Sequence, residues 1–509
     1  MSAPSSQAPL QGGWLWFAAI VLATANFVAV LDMTIANVSV PTIAGGLGAT
    51  TSQGTWVITS YAVAEAITVP LTGWLAIRFG AVRVFAIAMA LFGIISALCG
   101  LAGSLGVLVG FRVLQGVAGG PLMPLSQTLL LRIFPKEKAA AAVGLWAITT
   151  LVAPVLGPIL GGWLCDNYTW PWIFWINLPI ALLCSVIAWR VLKRYEDAPE
   201  KKPIDRVGLV LLVIWVGALQ LLIDEGKDLD WFAATEIRVL GLTAVLGFVV
   251  FLIWELHEEH PIVDLRIFRH RGFTMGVATL SFAIGAMFGA NVLTPQWLQG
   301  FMGYTSTQSG KAMAWMGLVA VLATPFAAGL STKMDARKIV FAGVFWLGLV
   351  TLWRTVANTD MTYWQVSAPM MLMGIGLPFF FVPLTGLALG CVDERETASA
   401  AGLMSFLRTL SGAIATSVVM TAWEDGIRAK HAELVGVTES IGGLGGLFDG
   451  AGFDRDAALQ GADFVLTNQS VMLATNDIMA VLGVVFLFAA TLILLAPKPE
   501  RVVDPSRVH

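Results

Sequence analysis

Fourteen stretches of mostly apolar residues, separated by short polar breaks, set the terms on which this chain can fold. A run of about 20 apolar residues crosses the ~30 Å hydrocarbon core of a bilayer as a helix. A helix also satisfies its own backbone where no water is at hand. The stretches fall at about 14–36, 55–76, 84–103, 107–130, 139–163, 172–192, 206–224, 237–256, 273–297, 311–331, 339–355, 364–389, 398–422 and 475–496. Of 509 residues, 57% are hydrophobic and 12% charged, against about a quarter charged in soluble domains. An all-α polytopic membrane protein of 14 spans is expected.

The opening segment, residues 1–11, is polar and uncharged. It lacks the basic region of a cleaved signal peptide, so the first stretch reads as a retained span. No basic tract suits nucleic acid, and the net charge of −3 averages over two sides of a membrane. Cys99, Cys165, Cys184 and Cys391 lie in or near spans without C-x-x-C spacing and read as small apolar residues.

Basic residues favour cytoplasmic breaks. With the N-terminus placed in the cytoplasm, the even-numbered breaks and the tail hold 21 of the 30 lysines and arginines. They run from Arg78 and Arg83 through Lys136, Lys201, Lys202 and Arg395 to Lys498, Arg501 and Arg507. The opposite breaks hold seven, among them Lys227 and Arg354, and Arg112 and Arg408 lie inside spans. Both termini are therefore expected in the cytoplasm. The long segment 423–474 falls outside; its 441–452 stretch, IGGLGGLFDGAG, reads as loop, and its flanks as short interfacial helices.

A repeat is visible. Residues 124–130, PLSQTLL, resemble 383–389, PLTGLAL, at an offset of 259, and 51–54 echo 307–310 at 256. The basic turn Gly73 to Arg83 is echoed by Gly329 to Lys338. Two six-span halves are expected, residues 1–200 and 261–509, with two inserted spans at 201–260. Parallel repeats suit a rocker around a central site.

Ionisable groups within spans are expensive and call for a reason. Tyr61, Glu65, Thr68 and Thr72 are spaced four, three and four apart, so they share one helix face. Glu65 is expected at the central cavity, where burial disfavours its charge; it fits a proton carrier, a contact to a cationic substrate, or a structural hydrogen bond. Asp32 in span 1 fits a proton or substrate role, or local bonding, and Asn26 and Asn37 add polarity to that helix. Arg112 shares a face with Gln115, Gly116 and Gly119. Those glycines admit a close helix, and Asp32 is the expected partner of the guanidinium. Arg408 shares a face with Ser405, Gly412 and Thr416, and fits either a site or snorkelling to the cytoplasmic surface.

Span 5 holds Pro154, Gly157, Pro158, Gly161 and Gly162, a pattern for a thin, bent helix between moving halves. Phe379, Phe380 and Phe381 follow a Gly-Pro break in span 12 and are placed to wall an apolar cavity, although packing is the default for each. Tyr61, Glu65, Gln115, Phe379 and Phe380 are the candidate substrate contacts. No phosphate loop and no H-E-x-x-H occurs, and His257, His260, His270, His431 and His509 fall in loops or the tail. No cofactor or metal is therefore expected. The Glu255, His257, Glu258, Glu259, His260 cluster reads as a solvated boundary.

Four segments carry a family resemblance: LDMTIANVSVP at 31–41, QGTWVITSYAVAEAITVPLTGW at 53–74, RVLQGVAGG at 112–120 and GPILGG at 157–162. With them the chain resembles the major facilitator superfamily, in particular the 14-span drug/proton antiporters of the EmrB/QacA group, and most of all the EmrB branch. The resemblance implies a link to proton coupling for Asp32 and Arg112. It implies a role in export for Pro154, Gly157, Pro158, Gly161 and Gly162, and conformational control by Gly73, Arg78, Gly80 and Arg83. Ile77 stands where that turn usually has an acid, and Ala81 at a usual basic position. The implied activity is proton-driven efflux of apolar or amphipathic drugs and toxins from a bacterial inner membrane, together with a periplasmic adaptor and an outer-membrane channel. An exporter of one metabolite or siderophore, a proton-driven importer and a non-transporting receptor are the rival functions.

Overall fold

The computed structural model describes residues 12–497 apart from 50, 55, 136–137, 197–198, 201–202, 227–228, 230, 260, 332, 394–395 and 441–454. Lys136, Lys201, Lys202, Lys227, Arg395, His260, His509, the 441–452 stretch and the tail cations therefore lie outside the described residues, as do the side chains of Asn37 and Pro158.

Every apolar stretch forms a helix, and among the described residues there is no strand. The helices are α1 (Gly13–Gly46), α2 (Trp56–Phe79), α3 (Ala81–Cys99), α4 (Leu105–Ile133), α5 (Ala139–Asn167), α6 (Trp172–Tyr195) and α7 (Arg206–Gly226). They continue as α8 (Thr235–His257), α9 (Arg271–Gly300), α10 (Ser306–Ser331), α11 (Ala336–Trp353), α12 (Tyr363–Gly390), α13 (Thr397–Ser440) and α14 (Arg455–Leu492). A 3-10 turn at Pro70 interrupts α2, and Gly120-Pro121 interrupts α4. In α5 the pieces Ala141–Pro154 and Ile159–Cys165 meet at 43°, as expected where proline removes a ladder bond.

Contacts sort the breaks onto two ends. At one end, Trp74 Nε1 donates to the Pro203 carbonyl (3.1 Å), Arg269 pairs with Glu396 (2.9 Å) and Arg337 donates to the Ala496 carbonyl (2.9 Å). This is the basic end. At the other, Trp231 donates to Thr421 (3.2 Å) and Asn476 to the Ala357 carbonyl (3.0 Å). The helices thus alternate in direction, as 14 crossings require.

Leu22, Phe85, Phe92 and Leu129 centre the apolar packing of α1–α6. A larger cluster around Phe273, Ile284, Leu347 and Phe486 joins α9–α14 and takes in Trp215 of α7. Ala66 and Val69 of α2, with Val143 and Ala147 of α5, belong to that second cluster, so the two bodies meet there. Most of α8 faces outward with Val239, Leu242, Val245 and Ile253, an apolar surface suited to lipid.

Three expectations are corrected. The flanks of the long outer segment are not separate interfacial helices; they continue α13 to Ser440 and begin α14 at Arg455. Lys430–Asp477 (3.7 Å) and His431–Asp463 (3.2 Å) pair these extensions, so His431 sits on a helix and not in a loop. Side-chain pairing between adjacent helices is a tertiary gain that local Gly and Asp content does not register. Second, Glu255 is buried, not solvated, because the 262–263 segment folds over it. Third, Arg408 does not snorkel: it is 8% exposed, turned inward onto α4 and α5.

Candidate functional site

Five helices deliver polar groups to one apolar interior. Asp32 comes from α1 and Arg112 from α4, and neither is exposed. Arg112 Nη1 donates to Asp32 Oδ2 at 2.7 Å and to Gln115 Oε1 at 2.9 Å, while its Nε donates to the Val57 carbonyl at 2.9 Å. The guanidinium lies 4.5 Å from the Tyr61 ring centre and 5.5 Å from that of Phe174, close enough for cation–π attraction. Asn177 of α6 donates to Asp32 Oδ1 at 2.7 Å and to Ser96 Oγ at 3.1 Å, and Ser96 in turn donates to the Phe174 carbonyl at 2.9 Å. Burying two charges costs several kcal/mol per ion unless geometry and extra hydrogen bonds offset it. Here each Asp32 oxygen has a donor, and the guanidinium has two acceptors besides the acid.

Small residues bring these groups together. A Cβ on Gly116 would stand 2.5 Å from the Tyr61 carbonyl oxygen and 2.8 Å from Ala64 Cβ. On Gly119 it would meet the Tyr61 hydroxyl at 2.6 Å. Only glycine lets α4 approach α2 this closely. Gly157 of α5 plays the same part against Thr34 of α1, whereas Gly162 has open space around it.

The α2 face expected from spacing is inward throughout: Tyr61, Glu65, Thr68 and Thr72 are all buried. Thr68 donates to the Ala64 carbonyl. Among the described residues, Tyr61 Oη, Glu65 Oε2 and Gln115 Nε2 have no hydrogen-bond partner. Arg408 of α13, a cation of the second body, is buried as well. Arg408 also touches Met123 Sδ and lies 5.4 Å from the Trp146 ring. Trp146, Leu280, Phe381, Thr385, Met404, Ser405 and Arg408 line a cavity of about 10 Å³ at this seam. Drug-sized sites usually run about 300–1,000 Å³, so the seam is closed here.

Of the three phenylalanines, Phe381 lines that pocket. The Phe379 and Phe380 backbones pack on Gly343 of α11, and Phe380 is buried. In the turn after α2, Gly80 has φ +92°, and a Cβ there would collide with the Glu196 carboxylate. That carboxylate accepts from the Val82 and Arg83 N–H groups at 3.1 and 2.8 Å. A carboxylate at a helix start is stabilised by the free N–H groups there. Arg83 lies over Trp189 and Arg78 over Trp74 and Phe79. Gly73 packs on Ser399 of α13, which joins the two bodies at the basic end. Pro154 is half-buried and Gly161 buried in α5.

Sequence reasoning missed Asn177, Ser96 and Glu196. Asn177 had a signal, a lone amide in the apolar run 173–183. Ser96 and Glu196 had none, since a serine in a span and an acid in a polar break are ordinary.

Ionisable groups sealed in a bilayer-spanning bundle, at and beside the seam of two helical bodies, are the equipment of a secondary membrane transporter and not of an enzyme. The chain belongs to the Major Facilitator Superfamily, whose sequence profile matches residues 22–416, and within it to the EmrB branch. It is 41% identical over 501 residues to the multidrug export protein EmrB of Escherichia coli (strain K12), covering 97% of each chain. It is 42% identical over 495 residues to the fatty acid resistance protein FarB of Neisseria gonorrhoeae, covering 96% of this chain and 98% of that one. In fold it is similar to the human organic anion transporter MFSD10, with a TM-score of 0.58 at 14% identity over 95% of this chain and all of that one.

Proposed function

We propose that this protein expels apolar or amphipathic toxic compounds in exchange for protons. The observation that carries this reading is the sealed Asp32–Arg112 pair, with Glu65 of α2 buried too. A carboxylate inside a membrane bundle earns its place by shedding and regaining a proton, and a fixed guanidinium favours the shedding. Arginine keeps its own proton and so does not carry one. Residues 1–200 and 261–509 rock about the seam, and 201–260 form the inserted pair. The Pro154–Gly162 bend and the Gly73–Arg83 turn lie where the bodies slide.

The relatives named for multidrug export and fatty acid resistance support small, apolar or amphipathic cargo. The apolar walls of the seam pocket suit it, with Arg408 as the single cation among them. A proton entering down a ~100 mV potential supplies about 2.3 kcal/mol, which sustains roughly a 50-fold gradient of a neutral substrate at one-to-one exchange. The basic end faces the cytoplasm of a bacterial inner membrane, both termini included. A periplasmic adaptor and an outer-membrane channel complete the path.

Reconstitution into liposomes with an imposed pH gradient tests this. Wild type accumulates a fluorescent amphiphile in proportion to the gradient; Asp32→Asn, Glu65→Gln and Arg112→Ala lose that dependence. Coupled flux surviving in both acid variants, singly and together, rejects the proton assignment. Substrate binding without flux points to a receptor.

A further inference from the structure

Two carboxyl groups meet at the basic end, where α7 begins and α8 closes. Asp205 precedes α7; its Oδ1 accepts from Gly208 N (2.8 Å) and its Oδ2 from Trp254 Nε1 (2.9 Å). A helix start suits an ionised carboxylate. Glu255, in the last turn of α8, is 1% exposed. Its Oε2 accepts from Val263 N at 3.3 Å, and the Ile262 backbone lies beside the same group. Its Oε1 has no hydrogen-bond partner among the described residues. Asp205 Oδ2 and Glu255 Oε1 crowd a single point, because a Cβ on Gly208 would collide with both.

A second bare anion at that point would be buried and repelled. No basic side chain pairs with either acid among the described residues. The other charged groups of this corner are engaged elsewhere or face outward. Arg206, His257 and Arg266 are exposed, and Glu258 and Asp264 are half-buried. Arg266 donates to the Glu258 carbonyl (3.1 Å), Asp264 accepts from Arg266 N (3.1 Å), and His257 Nδ1 lies 2.7 Å from the Ile253 carbonyl. A proton between the two acids resolves both the repulsion and the orphaned oxygen.

We propose that Asp205 and Glu255 form a proton-binding site separate from the Asp32–Arg112 core, with one hydrogen ion on Glu255 Oε1 donated to Asp205 Oδ2, clasping α7 to the foot of α8. In alkaline medium the Glu255 O–H bond breaks, the proton passes to hydroxide to form water, and the electron pair stays on Oε1. Two adjacent carboxylates remain, and the clasp opens.

The test uses full-length protein, comparing infrared spectra and melting between neutral and alkaline pH. The wild-type spectrum at neutral pH contains a protonated-carboxyl C=O band that is lost in Glu255→Gln. Wild-type Tm falls on alkalinisation, and that fall is lost in Glu255→Gln, whose amide still donates to Asp205. Asp205→Asn loses the fall too, which covers failure of the first variant to fold. An unchanged carboxyl band in Glu255→Gln overturns the proposal. So does a wild-type alkaline fall retained in both variants. Added sodium or potassium that raises wild-type Tm while abolishing the band at constant pH marks a metal-cation site and overturns it as well.

Discussion

Asn177 Nδ2 sits 2.7 Å from Asp32 Oδ1, on the side of the carboxylate that Arg112 leaves open. The acid is thereby held between α4 and α6, and a change in its protonation is felt by both helices. Asn177→Leu removes a hydrogen bond made to the charged acid. Such bonds contribute about 1.5–3 kcal/mol. The melting temperature in detergent is therefore expected to fall, and proton-coupled flux with it. An unchanged melting temperature would show that this bond adds nothing to the hold on Asp32.

Breaking the buried pair from one side strands a charge. Arg112→Ala is expected to lower stability by about 3–5 kcal/mol, read as a lowered melting temperature in detergent. Adding Asp32→Asn to Arg112→Ala recovers much of that stability without restoring proton-coupled flux. Additive losses in the double variant would contradict the pairing.

Two glycines of the same α5 motif should respond oppositely. Gly157→Ala forces a methyl onto Thr34, and Gly162→Ala meets nothing within 4 Å. Overpacking of this kind costs about 1–3 kcal/mol, so Gly157→Ala loses stability while Gly162→Ala keeps it. Thermal melts of the two variants decide it.

At the basic end, Glu196 caps the start of α3 across 113 residues of sequence. Glu196→Ala should cost about 0.5–2 kcal/mol, as cap losses do. Gly80→Ala should cost more, because it adds a positive-φ penalty to the collision with Glu196. Equal melting temperatures for wild type and Glu196→Ala would remove the cap from the account.

Asp335 caps α11 and is held below the usual carboxylate range, first by its hydrogen bonds with Arg337. A carboxyl depressed in the folded state adds stability above its unfolded value, about pH 3.9, and that stability fades as pH falls through the lower folded value. The gap in melting temperature between wild type and Asp335→Ala, expected to reflect about 1 kcal/mol at neutral pH, should narrow in strong acid. A gap constant from neutral pH to strong acid would assign the effect to shape instead of charge.

All 14 helices were legible because a bilayer demands about 20 apolar residues for each crossing, a local property of sequence. Even the short stretch at 339–355 forms a full helix. The α2 face and the Asp32–Arg112 partnership were legible too, since helical spacing and the cost of intramembrane charge are general. Helix ends that lean on a neighbour were not: α13 and α14 run on because their extensions pair with each other.

The sequence by itself determined what must be buried and what must be compensated. It set the number of crossings, the acids and arginines that need partners, and the glycines that permit close approach. Only the tertiary structure decided who the partners are. Asn177 lies 145 residues from Asp32, Glu255 faces Asp205 across an entire hairpin, and Arg408 meets α4 and α5 of the other body. Helical periodicity fixes which face a residue occupies but carries no information about which helix arrives opposite. That choice belongs to the packing of all 14 helices at once.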